Sequence, residues 1–193
     1  MKIGVLALQG AFIEHINMLK GLGVEVTEVR TTDNLRELDG LIIPGGESTV
    51  ILKLLHDFGI YEVLKESIKN GMAVWGTCAG MIVLSDEILN QGRNHMKPLK
   101  AINITTERNA FGRQTDSFSQ ELIFKGIDHK VQAIFIRAPR IVQVDKKVDI
   151  LSTLPDGTIV AAKQEKILVT SFHPELTADN SVHHYFCRIA EKQ

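Results

Sequence analysis

Apolar and polar positions divide this chain into short runs of two kinds. Residues 2–8 are almost wholly apolar after Lys2 and predict a buried strand. Phe12, Ile16, Leu19 and Leu22 then recur at helical spacing, and Gly21 and Gly23 mark where that helix stops. Residues 24–29 alternate and predict a second strand. A further apolar strand is predicted over 38–43, closed by Pro44-Gly45-Gly46. Helices are predicted over 50–58, with Ser48 or Thr49 as the cap, and over 61–69. A strand over 72–76 and a helix over 79–90 complete the first half.

The second half has a different rhythm. Strands are predicted over 101–106, 121–124, 131–136, 141–144, 158–163 and 167–172, joined by short turns such as Pro155-Asp156-Gly157. A helix over 180–191 closes the chain, and the polar residues 92–99 read as a surface loop. Alternating strands and helices followed by strands and short turns predict an α/β fold. The expected architecture is a three-layer sandwich around a mostly parallel central sheet, with antiparallel strands added in the second half. No repeat, low-complexity tract or linker divides it, so residues 1–193 read as a single domain.

Composition narrows the function. Apolar residues make up 44% of the 193, enough for a full core and too many for a disordered chain. The 22 Lys+Arg against 23 Asp+Glu leave a net charge of -1, which argues against a nucleic-acid binder. The longest strictly apolar run is four residues, such as Val5 to Leu8, whereas a membrane helix needs about 20. The first residues lack the pattern of a signal peptide. Cys78 and Cys187 are too few for a disulfide scaffold, which points to a reducing cytoplasm.

One segment carries chemistry. In Gly76-Thr77-Cys78-Ala79-Gly80 an apolar strand meets Gly-x-Cys-x-Gly, and an apolar helix follows. This is the cysteine form of a nucleophile elbow: a sharp turn lifts the thiol above the sheet edge, at the positive end of a helix, which favours the thiolate. The plain alternative is a buried cysteine in a tight turn. His173-Pro174-Glu175, at the end of the last strand, offers a base and an acid two residues apart, on one side of an extended chain. A polar turn after a strand is the alternative there. Pro44-Gly45-Gly46-Glu47-Ser48 also follows a strand and opens a helix, so the Gly46 N–H, with that of Ala79, is a candidate oxyanion hole; a simple turn or an anion-binding loop would look the same.

The ordered set Leu8-Gln9-Gly10, Pro44 to Thr49, Gly76 to Gly80 and His173-Pro174-Glu175 resembles class I, triad-type glutamine amidotransferases. The longer strings Glu107 to Phe118, Phe135-Ile136-Arg137-Ala138-Pro139 and Ser171 to Thr177 resemble the glutaminase subunits of pyridoxal 5'-phosphate synthases. The likeness covers nearly the whole chain. Departures are small: Phe12 stands where a small aliphatic residue is usual, Trp75 where Phe is, and Met81 where Leu is.

The resemblance implies a class I glutaminase fold, with Cys78 as nucleophile, His173 as base and Glu175 as its orienter. It implies glutamine binding by Gly46, Glu47, Ser48, Arg108, Ile136 and Arg137. It also implies a hetero-oligomer with a (β/α)8-barrel synthase subunit that takes up the ammonia. Gln9 and Gly10, at the end of the first strand, are the expected partner-contact and activation residues. Arg113 and Arg140 are further candidates for a substrate carboxylate and could equally be surface charges. His15, His56, His95, His129, His183 and His184 lack a paired motif and read as surface or helix residues, and Cys187 reads as core. No cofactor, metal, nucleic acid or membrane is expected. Two rivals share these features: a glutaminase subunit for another synthase, such as the histidine-pathway cyclase, and a non-enzymatic cysteine redox or binding protein on the same fold.

Overall fold

A computed structural model describes residues 1–89, 96–108, 110 and 117–191. The first half alternates as its pattern predicts: β1 (Lys2–Leu6), α1 (Phe12–Gly21), β2 (Glu25–Val29), β3 (Gly40–Ile43), α2 (Ser48–Asp57), α3 (Ile60–Lys69), β4 (Ala73–Thr77) and α4 (Ala79–Leu84). There follow β5 (Ser85–Ile88), β6 (Ile102–Glu107), β7 (Ser117–Ile123), β8 (Lys130–Ile136), β9 (Arg140–Val144), β10 (Asp149–Thr153), β11 (Ile159–Gln164), β12 (Ile167–Thr170) and α5 (Ser181–Ala190). Single 3-10 turns span Thr32–Leu35 and Pro174–Leu176.

Among the described residues, ten strands form one sheet in the order β2-β1-β3-β4-β12-β11-β9-β6-β5, with β10 paired to β11. The run from β2 to β12 is parallel throughout. Beyond it β11, β9 and β6 add antiparallel pairings, and β5 returns to parallel beside β6. β7 and β8 form a separate hairpin. This is the expected α/β architecture, a curled parallel sheet extended by antiparallel strands.

The pleat explains the layers. In β1, Ile3 and Val5 join α1 and α5 on one face, while Leu6 joins α2 and α3 on the other. Leu41 and Ile43 of β3 face α2 and α3, whereas Ile42 faces α1 and α5. Near-continuous apolar strands are what a parallel sheet buried on both faces requires.

Two local expectations fail, and one strand goes unanticipated, for identifiable reasons. The helix predicted over 79–90 ends at Leu84, and β5 follows. Leu84 and Ile88 have helical spacing, but Ser85 Oγ turns back to the Ile82 carbonyl at 2.8 Å and its strand pairs with β6. The cap of α2 is Glu47, not Ser48 or Thr49; its Oε1 accepts from the Thr49 N–H at 3.3 Å. β10, whose mixed residues 149–153 gave no clear alternation, pairs through a shifted register.

Candidate active site

The carboxyl ends of β1, β3, β4 and β12 meet at one edge of the sheet, next to the point where strand order reverses. Cys78 sits there, between β4 and α4, 7% exposed, with φ 49° and ψ -107°. Its N–H donates to the Thr170 carbonyl at 2.8 Å, tying the turn to β12. The flanking glycines are required by space. A Cβ on Gly76 would lie 2.4 Å from the Gly80 carbonyl, and one on Gly80 would lie 2.0 Å from the Ile43 carbonyl oxygen. The helix packs this closely on the sheet only because both are bare.

His173 follows β12, held by its N–H on the Ile134 carbonyl at 2.8 Å. Its Nδ1 lies 2.7 Å from Glu175 Oε1, and both side chains are buried. The segment is not extended as its sequence suggests. Pro174 opens a 3-10 turn, and that turn swings Glu175 back beneath the imidazole. Burial opposes charge on His173, but hydrogen bonds to Cys78 and Glu175, and their negative charge, prevail and push its pKa up to about 10. A Cβ on Gly45 would meet His173 Cε1 at 2.4 Å and Cys78 Cβ at 3.3 Å, so the loop after β3 closes directly over the pair.

That loop is stitched to the turn after β1. Gln9 Oε1 accepts from the Glu47 N–H at 2.9 Å, and the Ala11 N–H donates to the Gly45 carbonyl at 3.3 Å. Gly46 and Glu47 are exposed, and Ser48 is buried as the first residue of α2. Ala79 opens α4, so its N–H has no intrahelical acceptor.

The arginine candidates separate clearly. Arg108 follows β6, and its Nε and Nη2 are buried with no hydrogen-bond partner among the described residues. Arg140 is committed to Glu107, both Nε and Nη2 donating at 2.7 Å. Arg113 and His95 lie outside the described residues. Ile136 and Arg137, at the end of β8, are exposed, and the Ala110 N–H bonds the Ala138 carbonyl, drawing the Arg108 segment alongside them.

The sequence matches the SNO glutamine amidotransferase family over residues 5–192. The chain belongs to this family. A pyridoxal 5'-phosphate synthase subunit PdxT of Dehalococcoides mccartyi is 55% identical over 99% of this chain and 98% of that protein. One from Corynebacterium jeikeium is 50% identical over 100% and 98%. Among solved structures, a glutamine amidotransferase at 43% identity aligns with a TM-score of 0.92, covering 97% of this chain and 98% of that one. PurLQS from Thermotoga maritima, at 15% identity and a TM-score of 0.71 over 98% of this chain and 99% of that one, shares the fold.

Behind Glu175 this amidotransferase holds two histidines that the sequence reading placed at the surface or on an ordinary helix face. His15 of α1 and His183 of α5 are fully buried. His15 Nδ1 lies 2.8 Å from His183 Nε2, and His15 Nε2 lies 3.3 Å from Thr77 Oγ1 and 3.5 Å from Glu175 Oε2. Trp75 packs edge-on against both rings. A signal was present in the sequence. His15 falls on the same helical stripe as Phe12, Ile16 and Leu19, and His183 on that of Val182, Phe186 and Cys187. Among the described residues no cluster of His, Cys, Asp or Glu has the geometry of a metal site, and no helix is long and apolar enough to cross a membrane.

Proposed function

We propose that this amidotransferase hydrolyses L-glutamine through Cys78, His173 and Glu175, and that it passes the ammonia to a pyridoxal 5'-phosphate synthase barrel subunit. The observation that carries the reading is His173, held between Cys78 and the 2.7 Å contact to Glu175 at the sheet edge. A protonated imidazole beside the sulfur favours the thiolate, the attacking form of cysteine. The sulfur adds to the side-chain amide carbon of glutamine. The oxyanion is stabilised by the N–H groups of Gly46 and Ala79. His173 delivers its proton to the leaving nitrogen, and ammonia departs as the thioester forms. His173 then takes a proton from water, whose oxygen attacks the thioester, and glutamate and the thiolate are released.

The substrate's charged end has a matching site. Arg108 buries two donors without a partner among the described residues, a costly arrangement that an α-carboxylate would relieve. Gly46, Glu47 and Ser48, on the loop that closes over Cys78, would complete the glutamine site together with Ile136 and Arg137 at the end of β8. The synthase partner is inferred from curated relatives of 50–56% identity that carry the name of that subunit. The test is glutamate release by the chain with and without that synthase subunit. Cys78→Ala is expected to abolish it, and full activity of that variant would remove Cys78 from the mechanism.

A further inference from the structure

The proposed triad leaves one carboxylate oxygen unaccounted for. Glu175 Oε1 faces His173, but Oε2 is buried and has no hydrogen-bond partner among the described residues. His15 Nε2 lies 3.5 Å from it. We propose that His15 is a positioning residue for Glu175, presenting Nε2–H to Oε2, and that His183 sets this tautomer by donating Nε2–H to His15 Nδ1. The inference rests on the reading of Glu175 as the acid that orients His173.

Proton accounting decides between the two neutral arrangements. His15 Nδ1 and His183 Nε2 are 2.8 Å apart, so one of them carries the hydrogen between them. If His15 carried it, His15 Nε2 could accept from the Thr77 hydroxyl at 3.3 Å but would still turn a lone pair toward the buried Glu175 Oε2. His183 would then hold its own proton on Nδ1, which is buried with no acceptor among the described residues. If His183 carries it, the unpartnered Nδ1 is only a lone pair. His15 then bears Nε2–H, directed between Thr77 Oγ1 at 3.3 Å and Glu175 Oε2 at 3.5 Å. The second arrangement has no repulsive contact and no orphaned donor. Burial keeps both rings neutral, with His15 well below the usual histidine range and His183 brought down to about 3. Trp75, whose Nε1–H is anchored on Thr170 Oγ1 at 3.2 Å, fixes both ring planes edge-on.

The mechanical consequence concerns rotation. A carboxylate held at one oxygen swings about its last bond; one drawn at both oxygens keeps Oε1 aimed at His173. At 3.5 Å the His15 contact orients by dipole and charge rather than as a short bond, as expected of a resting site that tightens when substrate is bound. His15 touches neither sulfur nor substrate, so its loss should slow proton transfer and leave binding alone.

Two measurements test this. Imidazole 15N NMR on the intact wild-type protein near neutral pH should report His15 and His183 both as neutral Nε2–H tautomers. An Nδ1–H or charged His15 would overturn the proposal, and this result needs no variant to fold. Glutamate release in the presence of the synthase subunit should show His15→Leu lowering kcat by about 10–100-fold, the range for loss of an outer partner of a working imidazole, with KM changed less than about twofold. His15→Gln, which returns an amide N–H close to the Nε2 position, should recover most of that loss. Equal losses in the two variants, or an effect on KM alone, would overturn it. If Cys78→Ala abolishes turnover while His15→Leu leaves kcat unchanged, the triad reading stands and this inference alone fails.

Discussion

Arg108 poses the sharpest question at the scale of single residues. A guanidinium with two buried nitrogens that have no partner among the described residues is costly, and an arriving anion would relieve the cost. Charge-assisted hydrogen bonds contribute about 1.5–3 kcal/mol, so Arg108→Ala is expected to raise the glutamine KM by about 10–100-fold with kcat little changed. Steady-state kinetics check this, and a loss confined to kcat would contradict a binding role. The residues proposed for chemistry were legible because their neighbours leave a mark. Gly76 and Gly80 announce a turn too tight for any side chain, and Pro174 separates a histidine from an acid by one residue. His15 and His183 were not read, because a histidine is polar by type and the apolar stripes it interrupts are scored by the hydrophobes beside it. Arg140 was a candidate by charge alone. Its salt bridge to Glu107 joins residues 33 apart on paired strands, a proximity no local pattern encodes.

Between residues and the whole chain, the informative unit is a pair of turns. The turn after β1 holds the loop after β3 by two hydrogen bonds, Glu47 N–H to Gln9 Oε1 and Ala11 N–H to the Gly45 carbonyl. The second bond fixes one face of the Gly45–Gly46 peptide, and with it the direction of the Gly46 N–H proposed for the oxyanion. A partner that presses on Gln9 and Gly10 would therefore act on that donor. Gln9→Ala is expected to weaken the stimulation of hydrolysis by the synthase subunit, while the melting temperature changes little, since one exposed hydrogen bond contributes about 1 kcal/mol. Activity with and without the partner, beside a thermal melt, tests both halves. Losing one oxyanion donor outright costs roughly 10²–10³ in kcat, which sets the ceiling for the effect. Elements with a strong period were legible at this scale: of the five parallel strands, β1, β3, β4 and β12 came from apolar runs and β2 from alternation. β5 and β10 were not, because Ser85-Asp86-Glu87 is polar throughout and residues 149–153 lack alternation; each becomes a strand only by pairing, β5 with β6 and β10 with β11, in both cases through a shifted register.

At the scale of the whole molecule, stability and the site are linked through protons. The unfolded chain charges His15 and His183 near pH 6.5, whereas the folded protein keeps both neutral, His183 down to about 3. Below about pH 6.5 unfolding therefore takes up protons, and stability falls as pH drops, by at most about 2.7 kcal/mol per pH unit for two such groups. Denaturant midpoints are expected to be clearly lower at pH 5 than at pH 7; a flat profile across that interval would contradict burial of both rings in neutral form. The proposed nucleophile carries a second global consequence. Cys78 holds φ 49°, a conformation that every side chain with a Cβ resists and glycine does not. Alanine at this position keeps the misfit, whereas glycine releases about 1–3 kcal/mol of it against roughly 0.5–1 kcal/mol of added chain entropy. Cys78→Gly should thus melt above Cys78→Ala, by about 2–4 °C per kcal/mol retained, although both are expected to be inactive. The order of those two variants would measure what the fold gives up to display a thiol: a sequence selected for durability alone would place glycine there, and on the proposed reading the cysteine marks where usefulness outranked it.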